Sequence, residues 1–380
     1  MSQILLQELT NSDLDWLMAA GKRQIVAADC LLIETERQIS DIYLVISGSL
    51  QISIPQNDDR ALNRAFALLE ERSTLERDII ELERGDVAGL EFLVGSRAAS
   101  TNVRTKVESD LLSIPLRSLQ GKLQQDIGFA ARFYRGIALM LTERLLKLTT
   151  RLRTARLSTT GTASREVLFA FGHFLDSDID WLIANGSCQY LPVGSSLLQE
   201  GRSAETLYML LKGSALVTIA ETAIDPLDLA FAALGTSDRH SDKEIATVLA
   251  GEFIGEMPFG ENRLASTSVR TAEDSLVLAI PERSLKLKLQ QDYGWAARFE
   301  AVVATLAMER FRDTISRLGY GRNFDSRNLE RFKDADELNP SSLDKLNLAA
   351  TRFKWMLNRL QVLSNKNRQS EKLAKLNSVA

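Results

Sequence analysis

The sequence contains few of the residues that build disulfide frameworks and metal clusters. Its 380 residues include two cysteines and two histidines. Two cysteines cannot staple a small secreted domain or fill a structural metal site. Each one, Cys30 and Cys188, precedes an apolar run, which favours a core position over a reactive one. The sequence also has no phosphate-binding P-loop, no metal-spaced cluster and no nucleophile elbow. We therefore predict a protein that is not an enzyme and has no bound metal.

Long apolar runs and an excess of positive charge are also missing. A membrane helix needs about 18 apolar residues without charges, and no such stretch occurs. The first residues, MSQILLQELTNSDLDWL, carry acids where a secretory signal needs basic residues. The formal net charge of −4 argues against a surface that coats nucleic acid. These absences predict a soluble cytoplasmic protein.

An internal repeat is the strongest positive signal. Similar segments return in the same order and at an almost constant separation along the chain. Three of these pairs are NSDLDWLMAAG with DSDIDWLIANG, SRAASTNVRT with NRLASTSVRT, and LQQDIGFAARF with LQQDYGWAARF. The first pair begins at Asn11 and Asp176, and the last begins at Leu123 and Leu289. The constant separation predicts a tandem duplication with almost no gaps.

Each copy has the same predicted plan. A short helix is followed by short alternating runs rich in Val, Ile and Tyr, and then by a long amphipathic helix. The predicted fold is mainly β with flanking α-helices: two tandem antiparallel, jelly-roll-like β-barrels and a C-terminal helix. We divide the chain into a first module (1–153), a linker (154–165), a second module (166–320) and a tail (321–380).

The order of strands, Gly-Glu turn, Arg, Ala-Ser-Thr and long helix resembles the cyclic-nucleotide-binding domain of catabolite-activator-like regulators. It is also similar to bacterial, notably cyanobacterial, relatives without a helix-turn-helix. The resemblance implies that a glutamate accepts a hydrogen bond from the ribose and that an arginine and free backbone N–H groups hold the cyclic phosphate. It implies a cAMP or cGMP ligand and no other cofactor. The candidate site residues are Gly255, Glu256, Met257, Arg263, Ser266 and Thr267 in the second module and Gly89, Arg97, Ser100 and Thr101 in the first.

Both copies depart from the family pattern. The family places its phosphate arginine four residues before a valine, and the corresponding residues here are Ala99 and Ala265. In the first copy Leu90 follows Gly89, so that Glu91 is displaced by one position. Three interpretations stay open: both pockets bind a different ligand, both have become interaction modules, or cAMP or cGMP binds, chiefly in the second module.

The tail predicts a partner surface. Residues 316–380 contain no helix-turn-helix pattern, so no DNA binding is expected. Pro340 and Ser341 indicate the start of a basic amphipathic helix. Its apolar stripe is Leu343, Leu346, Ala350, Phe353, Leu357, Leu360 and Leu363. This helix is expected to pack on the second module or in a dimer seam, with an acidic protein or a membrane surface as the alternative.

Two functions follow from these features. The first is a regulatory sensor, in which pocket occupancy changes the long helices and the tail and so affects a protein partner or self-association. The alternative is a structural or adaptor protein of an assembly or export system, which uses the modules and the tail as interaction surfaces.

Overall fold

The structure is a computed structural model that describes residues 4–55, 76–94, 99–152, 171–220, 242–255, 264–318 and 340–360. It confirms the predicted fold class, since antiparallel sheets are flanked by helices and a further helix lies near the C-terminus. The predicted linker lies outside the described residues. No described helix combines the length and the apolar composition of a membrane span.

In the part of the first module that the structure describes, two helices come first, eight strands follow, and two helices come last. The strands are β1 Lys22–Val26, β2 Leu31–Ile33, β3 Asp41–Ser47, β4 Leu50–Pro55, β5 Glu76–Leu82, β6 Val87–Ala88, β7 Asn102–Thr105 and β8 Ser109–Pro115. The helices are α1 Ile4–Glu8, α2 Asn11–Ala20, α3 Leu116–Gln125 and α4 Ile127–Leu152, and a single 3-10 turn, η1, spans Leu90–Phe92.

The second module repeats this order. Its strands are β9 Ser187–Leu191, β10 Ser196–Leu198, β11 Thr206–Lys212, β12 Ser214–Ala220, β13 Asp242–Leu249, β14 Phe253–Ile254, β15 Ser268–Thr271 and β16 Ser275–Pro281. Its helices are α5 Asp176–Asn185, α6 Glu282–Gln291 and α7 Tyr293–Arg317, and helix α8, Pro340–Arg359, follows in the tail.

The two modules have the same sheet topology. In the first, one sheet has the order β1-β8-β3-β6 and the other β2-β7-β4-β5. In the second, the orders are β9-β16-β11-β14 and β10-β15-β12-β13. Every strand therefore has a partner in the equivalent place, as the repeat predicts. The described strands form two four-stranded sheets in each module and no closed barrel.

Tertiary contacts divide the chain into two compact units. Unit 1 consists of Met1–Gly161 and Ala296–Asp336, and unit 2 of Thr162–Trp295 and Glu337–Ala380. The first three residues of α7 thus belong to unit 2, and the described remainder belongs to unit 1. The modules are defined by the sequence repeat and the units by tertiary contacts, so their boundaries differ. The module boundaries stay a prediction.

The long helices bury the apolar positions that their periodicity predicts. On α4 the buried set includes Phe129, Phe133, Ile137, Met140, Leu141 and Leu148. On α7 it includes Trp295, Phe299, Val302, Val303, Leu306 and Phe311. Aromatic contacts recur as well: Trp16 meets Phe129 at 5.6 Å between ring centroids, and Trp181 meets Trp295 at 5.0 Å. Large rings at equivalent places thus fill the space between the first and last helices of each repeat.

Asp13 at the start of α2 is part of a helix cap. Thr10 and Asp13 form a reciprocal capping box, and Asp13 also receives two hydrogen bonds from Arg132 on α4 at 2.7 and 2.9 Å. Burial raises the pKa of Asp13, but the hydrogen bonds from Arg132 and Thr10 outweigh it and lower the value to about 2. Asp178 occupies the equivalent place on α5 and accepts from the backbone of Leu175 at 2.6 Å.

Two loops reach the same backbone conformation with different residues. Gly194 and Gly201 have φ of 81° and 78° in the second module. In the first module Asp29 and Glu36 stand at the equivalent positions with φ of 63° and 68°. A side chain in this region costs on the order of 1 kcal/mol, so the first module retains these turns with residues less suited to them.

The C-terminal helix packs on α5 within unit 2. Arg352 Nε lies 2.9 Å from Asp176 Oδ1, and Phe353 lies 5.2 Å from Phe171 between ring centroids. The helix begins at Pro340, as predicted. Its most buried side chains are Ala349 and Met356, whereas Ala350 of the predicted stripe is exposed. Leu363 lies outside the described residues.

The prediction that the cysteines lie in the core is wrong. Cys30 and Cys188 are both exposed. Cys188 belongs to β9, where every residue from Ser187 to Tyr190 is exposed, because β9 lies at the edge of its sheet. An apolar run next to a residue does not bury that residue when its strand lies exposed at a sheet edge.

Glu300 is a buried acid on the part of α7 that belongs to unit 1. Its side chain is 4% exposed, and Oε2 has no hydrogen-bond partner among the described residues. The nearby charges are Arg135 and Glu8, which pair with each other at 3.1 Å. Burial raises the pKa of Glu300 to about 7, against the opposing effect of Arg135. Folding therefore favours the protonated acid.

We predict that Glu300→Gln stabilises the protein at high pH. A raised pKa means that the wild type loses stability as the pH increases from about 4.5 to about 7. The amide stays neutral, so the variant should exceed the wild type by about 3 kcal/mol at pH near 8 and by little at pH near 5. Urea unfolding at both pH values measures this difference. Exposed Glu108→Gln is the control; an equal effect of both substitutions would contradict the assignment.

Candidate functional site

In each module the candidate site begins at a glycine that ends a two-residue strand. Strand β6 pairs with β3, and β14 pairs with β11, each through two residues. Gly89 and Gly255 follow directly, with φ of 85° and 83°. A Cβ on Gly89 would lie 2.8 Å from Ile39 Cδ1, and one on Gly255 would lie 2.9 Å from the Thr206 carbonyl oxygen. The left-handed conformation therefore favours glycine at both positions, and at Gly255 the nearby backbone oxygen also leaves no space for a Cβ.

In the first module the turn η1 places Glu91 in the interior. Its carboxylate is 7% exposed and accepts hydrogen bonds from the Ser100 amide at 3.2 and 3.3 Å and from the Ser100 hydroxyl. Ser100 and the buried Thr101 precede β7. The structure thus brings together Gly89, Ser100 and Thr101, which the sequence predicted, and Glu91, which the sequence placed out of register.

A guanidinium group from α7 completes this cluster. Arg312 Nη2 lies 3.7 Å from Glu91 Oε2, and both residues belong to unit 1. Burial raises the pKa of Glu91, while the Arg312 charge and the Ser100 hydrogen bonds oppose that rise. The acid therefore has both a charge partner and hydrogen-bond donors inside the protein.

The second module shows part of the equivalent arrangement. Gly255, Ser266 and Thr267 are described, and the two hydroxyl residues are half-buried next to β15. Glu256, Met257 and Arg263 lie outside the described residues, as does Arg97 of the first module. The roles of all these residues remain predictions from the family resemblance.

Small buried residues occupy the two positions at which the family resemblance implies an arginine. Ala99 is 3% exposed and Ala265 is 6% exposed. Each makes two backbone hydrogen bonds of 2.8 to 3.0 Å to the loop that follows β2 or β10: Ala99 to Glu36 and Arg37, and Ala265 to Gly201 and Arg202. A guanidinium that held a phosphate would have to come from another position in either module.

A comparison with protein families identifies the second copy. Residues 188–292 match the model of the cyclic nucleotide-binding domain. This segment belongs to that family. The cyclic nucleotide-binding domain includes β9 to β16 and α6, and the first module repeats its strand order. None of the curated proteins matches the sequence.

Three solved structures with the same kind of domain are similar to the chain. Cyclic-AMP-bound PfPKA-R is 12% identical with a TM-score of 0.29, over 83% of this chain and 87% of that one. The regulatory subunit of a cAMP-independent protein kinase A from Trypanosoma cruzi, bound to guanosine, is 14% identical with a TM-score of 0.26, over 76% and 81%. The catabolite activator protein of Thermus thermophilus is 14% identical with a TM-score of 0.31, over 48% and 70%.

Arg312 is the site residue that the sequence prediction missed. It is far from Glu91 along the chain, on the helix that closes the second repeat. The repeat contained a signal, since aligning SRAASTNVRT with NRLASTSVRT places Arg312 opposite Leu146 and Glu91 opposite Met257. When a basic and an acidic residue both stand opposite apolar residues of the other copy, they are candidates for an ion pair. Only the tertiary structure shows that the two side chains lie close together.

We predict that Ser100→Ala destabilises the first module. The substitution removes the hydroxyl that donates to buried Glu91, at a cost of about 1–2 kcal/mol in the free energy of unfolding. Ser266→Ala is the matched control, because Met257 replaces the acid there, and it should change stability by less than about 0.5 kcal/mol. Denaturant unfolding without ligand compares the two; equal losses would contradict the role of Ser100.

Proposed function

We propose that the protein is a regulatory sensor that binds a cyclic nucleotide in its second module and acts without catalysing a reaction. The observation that carries the proposal is the family match over residues 188–292. The left-handed turn at Gly255, directly before Glu256 in the sequence, supports it. In this role Glu256 accepts from the ribose, and Ser266, Thr267 and backbone N–H groups near Met257 hold the phosphate.

In this proposal the residue that contacts the phosphate differs from the one in the family pattern. Ala265 supplies no charge, so Arg263, two residues earlier, is the cation assigned to the phosphate. A guanidinium forms two parallel hydrogen bonds to a phosphate, and no other side chain has that geometry. Because the cation comes from a different position, the ligand specificity is expected to differ from that of an ordinary cAMP receptor.

The test is calorimetry of the full chain with cAMP, cGMP, cyclic dinucleotides and linear nucleotides. At 100 times its dissociation constant a ligand should stabilise the protein by about 2.7 kcal/mol, visible as a rise in Tm. We expect Arg263→Gln to weaken binding by roughly 30- to 1000-fold, as for a lost charge contact worth about 2–4 kcal/mol.

The repeat provides a matched control for this prediction. Arg97→Gln makes the same change at the equivalent position of the first module and should leave the affinity of the second module unchanged. An equal loss in both variants, or an unchanged affinity in Arg263→Gln, would remove Arg263 from the site. The absence of binding by every nucleotide would contradict the sensor function.

A structural or adaptor role is the second candidate. The observation in its favour is that Glu91, the acid of the first module, is engaged by groups of the chain itself. On this alternative both modules serve as interaction surfaces and the tail helix α8 stabilises unit 2. It predicts a protein that no nucleotide stabilises and that elutes as an assembly in size-exclusion chromatography.

A further inference from the structure

The ion pair of Glu91 and Arg312 has no counterpart in the second copy of the repeat. The equivalent positions in the other copy hold Met257 and Leu146. Leu146 on α4, the residue equivalent to Arg312, is 47% exposed and is therefore not part of the hydrophobic core. The acid in the first copy and the base in the second copy thus each stand opposite an apolar residue of the other copy.

The surroundings of Glu91 explain why a cation is needed there. Its carboxylate is 7% exposed, and an isolated charge so deep in a protein is costly unless it is paired and hydrogen-bonded. The Ser100 amide, the Ser100 hydroxyl and the Arg312 guanidinium approach its two oxygens. A carboxylate has about four acceptor positions, so groups of the chain already take most of them.

A neutral ribose hydroxyl would be a poor substitute for Arg312. It donates one hydrogen bond and brings no charge, and the position expected for a phosphate arginine holds the buried Ala99. A ligand that displaced Arg312 would leave Glu91 without a counter-charge in an interior of low dielectric. Guanidinium satisfies the acid better, because it brings the charge and several N–H donors in a planar fork.

We propose that the first module's candidate site is a receptor for a guanidinium group, that the chain's own Arg312 occupies it, and that it is therefore closed to nucleotides. Arg312 acts as a positioning residue that holds α7 to the turn η1 within unit 1. The proposal concerns the first module alone and does not depend on nucleotide binding by the second.

Chemical rescue of the full chain tests the proposal. Arg312→Ala removes the guanidinium beside Glu91 and should lower the Tm by about 5–10 °C, as expected when a buried pair loses one partner. Ethylguanidinium chloride at up to about 20 mM, where the denaturing action of such ions is negligible, should then raise the Tm by a few degrees in a saturable way. Sodium chloride at the same concentrations should not.

Two control variants make the result specific. Lys147→Ala removes a cation that pairs with Glu143 at 3.5 Å on the exposed side of α4, and ethylguanidinium should not change its Tm. In the double variant Glu91→Gln, Arg312→Ala the carboxylate is gone, and the rescue should disappear. No rescue of Arg312→Ala, an equal rescue of Lys147→Ala, or a rescue that persists in the double variant would each overturn the proposal.

Two further measurements cover the remaining outcomes. If Arg312→Ala does not fold, the variant Arg312→Lys is used instead, and hydrogen exchange is measured for the amides from Leu90 to Leu93. We expect these amides to exchange faster than in the wild type. An unchanged exchange rate would overturn the proposal. Nucleotide titration of Glu256→Gln tests the closed site directly. Binding of cAMP or cGMP that persists in Glu256→Gln and is lost after Glu91→Gln is added would show a nucleotide in the first module and overturn the proposal.

Discussion

Each module depends on one tight turn, in which a glycine at positive φ ends a strand of only two residues. Gly89 and Gly255 adopt the left-handed conformation, so the chain reverses there at the edge of a sheet and leads into the candidate site. In the first module the two residues that follow the turn, Leu90 and Glu91, are both buried. The residue equivalent to Glu91 in the second module is Met257.

Once an acid is buried, its neighbours decide its protonation and its role. Asp13 receives a guanidinium fork and hydrogen bonds, and its pKa falls to about 2. Glu300 has a more distant cation and an oxygen without a hydrogen-bond partner among the described residues, and its pKa rises to about 7. Glu91 lies between these cases, with donors and a cation that oppose a strong cost of burial. The pKa values of these three carboxylates in unit 1 are thus shifted differently, because the groups around each carboxylate differ.

The sequence predicted the fold well wherever one feature was repeated. The constant separation of the paired segments predicted two copies with one topology, and the helix periodicity of α4 and α7 predicted which residues are buried. The predictions were wrong where burial depends on sheet position, as for Cys30 and Cys188. The short strands β6 and β14 were not predicted, because two residues carry no periodicity. The motifs predicted Ser100 as a candidate site residue, but its contact with Glu91 joins segments that the sequence does not place together.

The sequence by itself determined the duplication, the strand and helix types, the glycine turns and the alanines at the two equivalent positions Ala99 and Ala265. These features depend on local spacing and on the comparison of one copy with the other. Only the tertiary structure decided that Glu91 faces inward, that Ser100 donates to it and that Arg312 is its cation. The physical reason is that the energy of a buried charge depends on which groups surround it, and those groups come from three segments far apart in the chain.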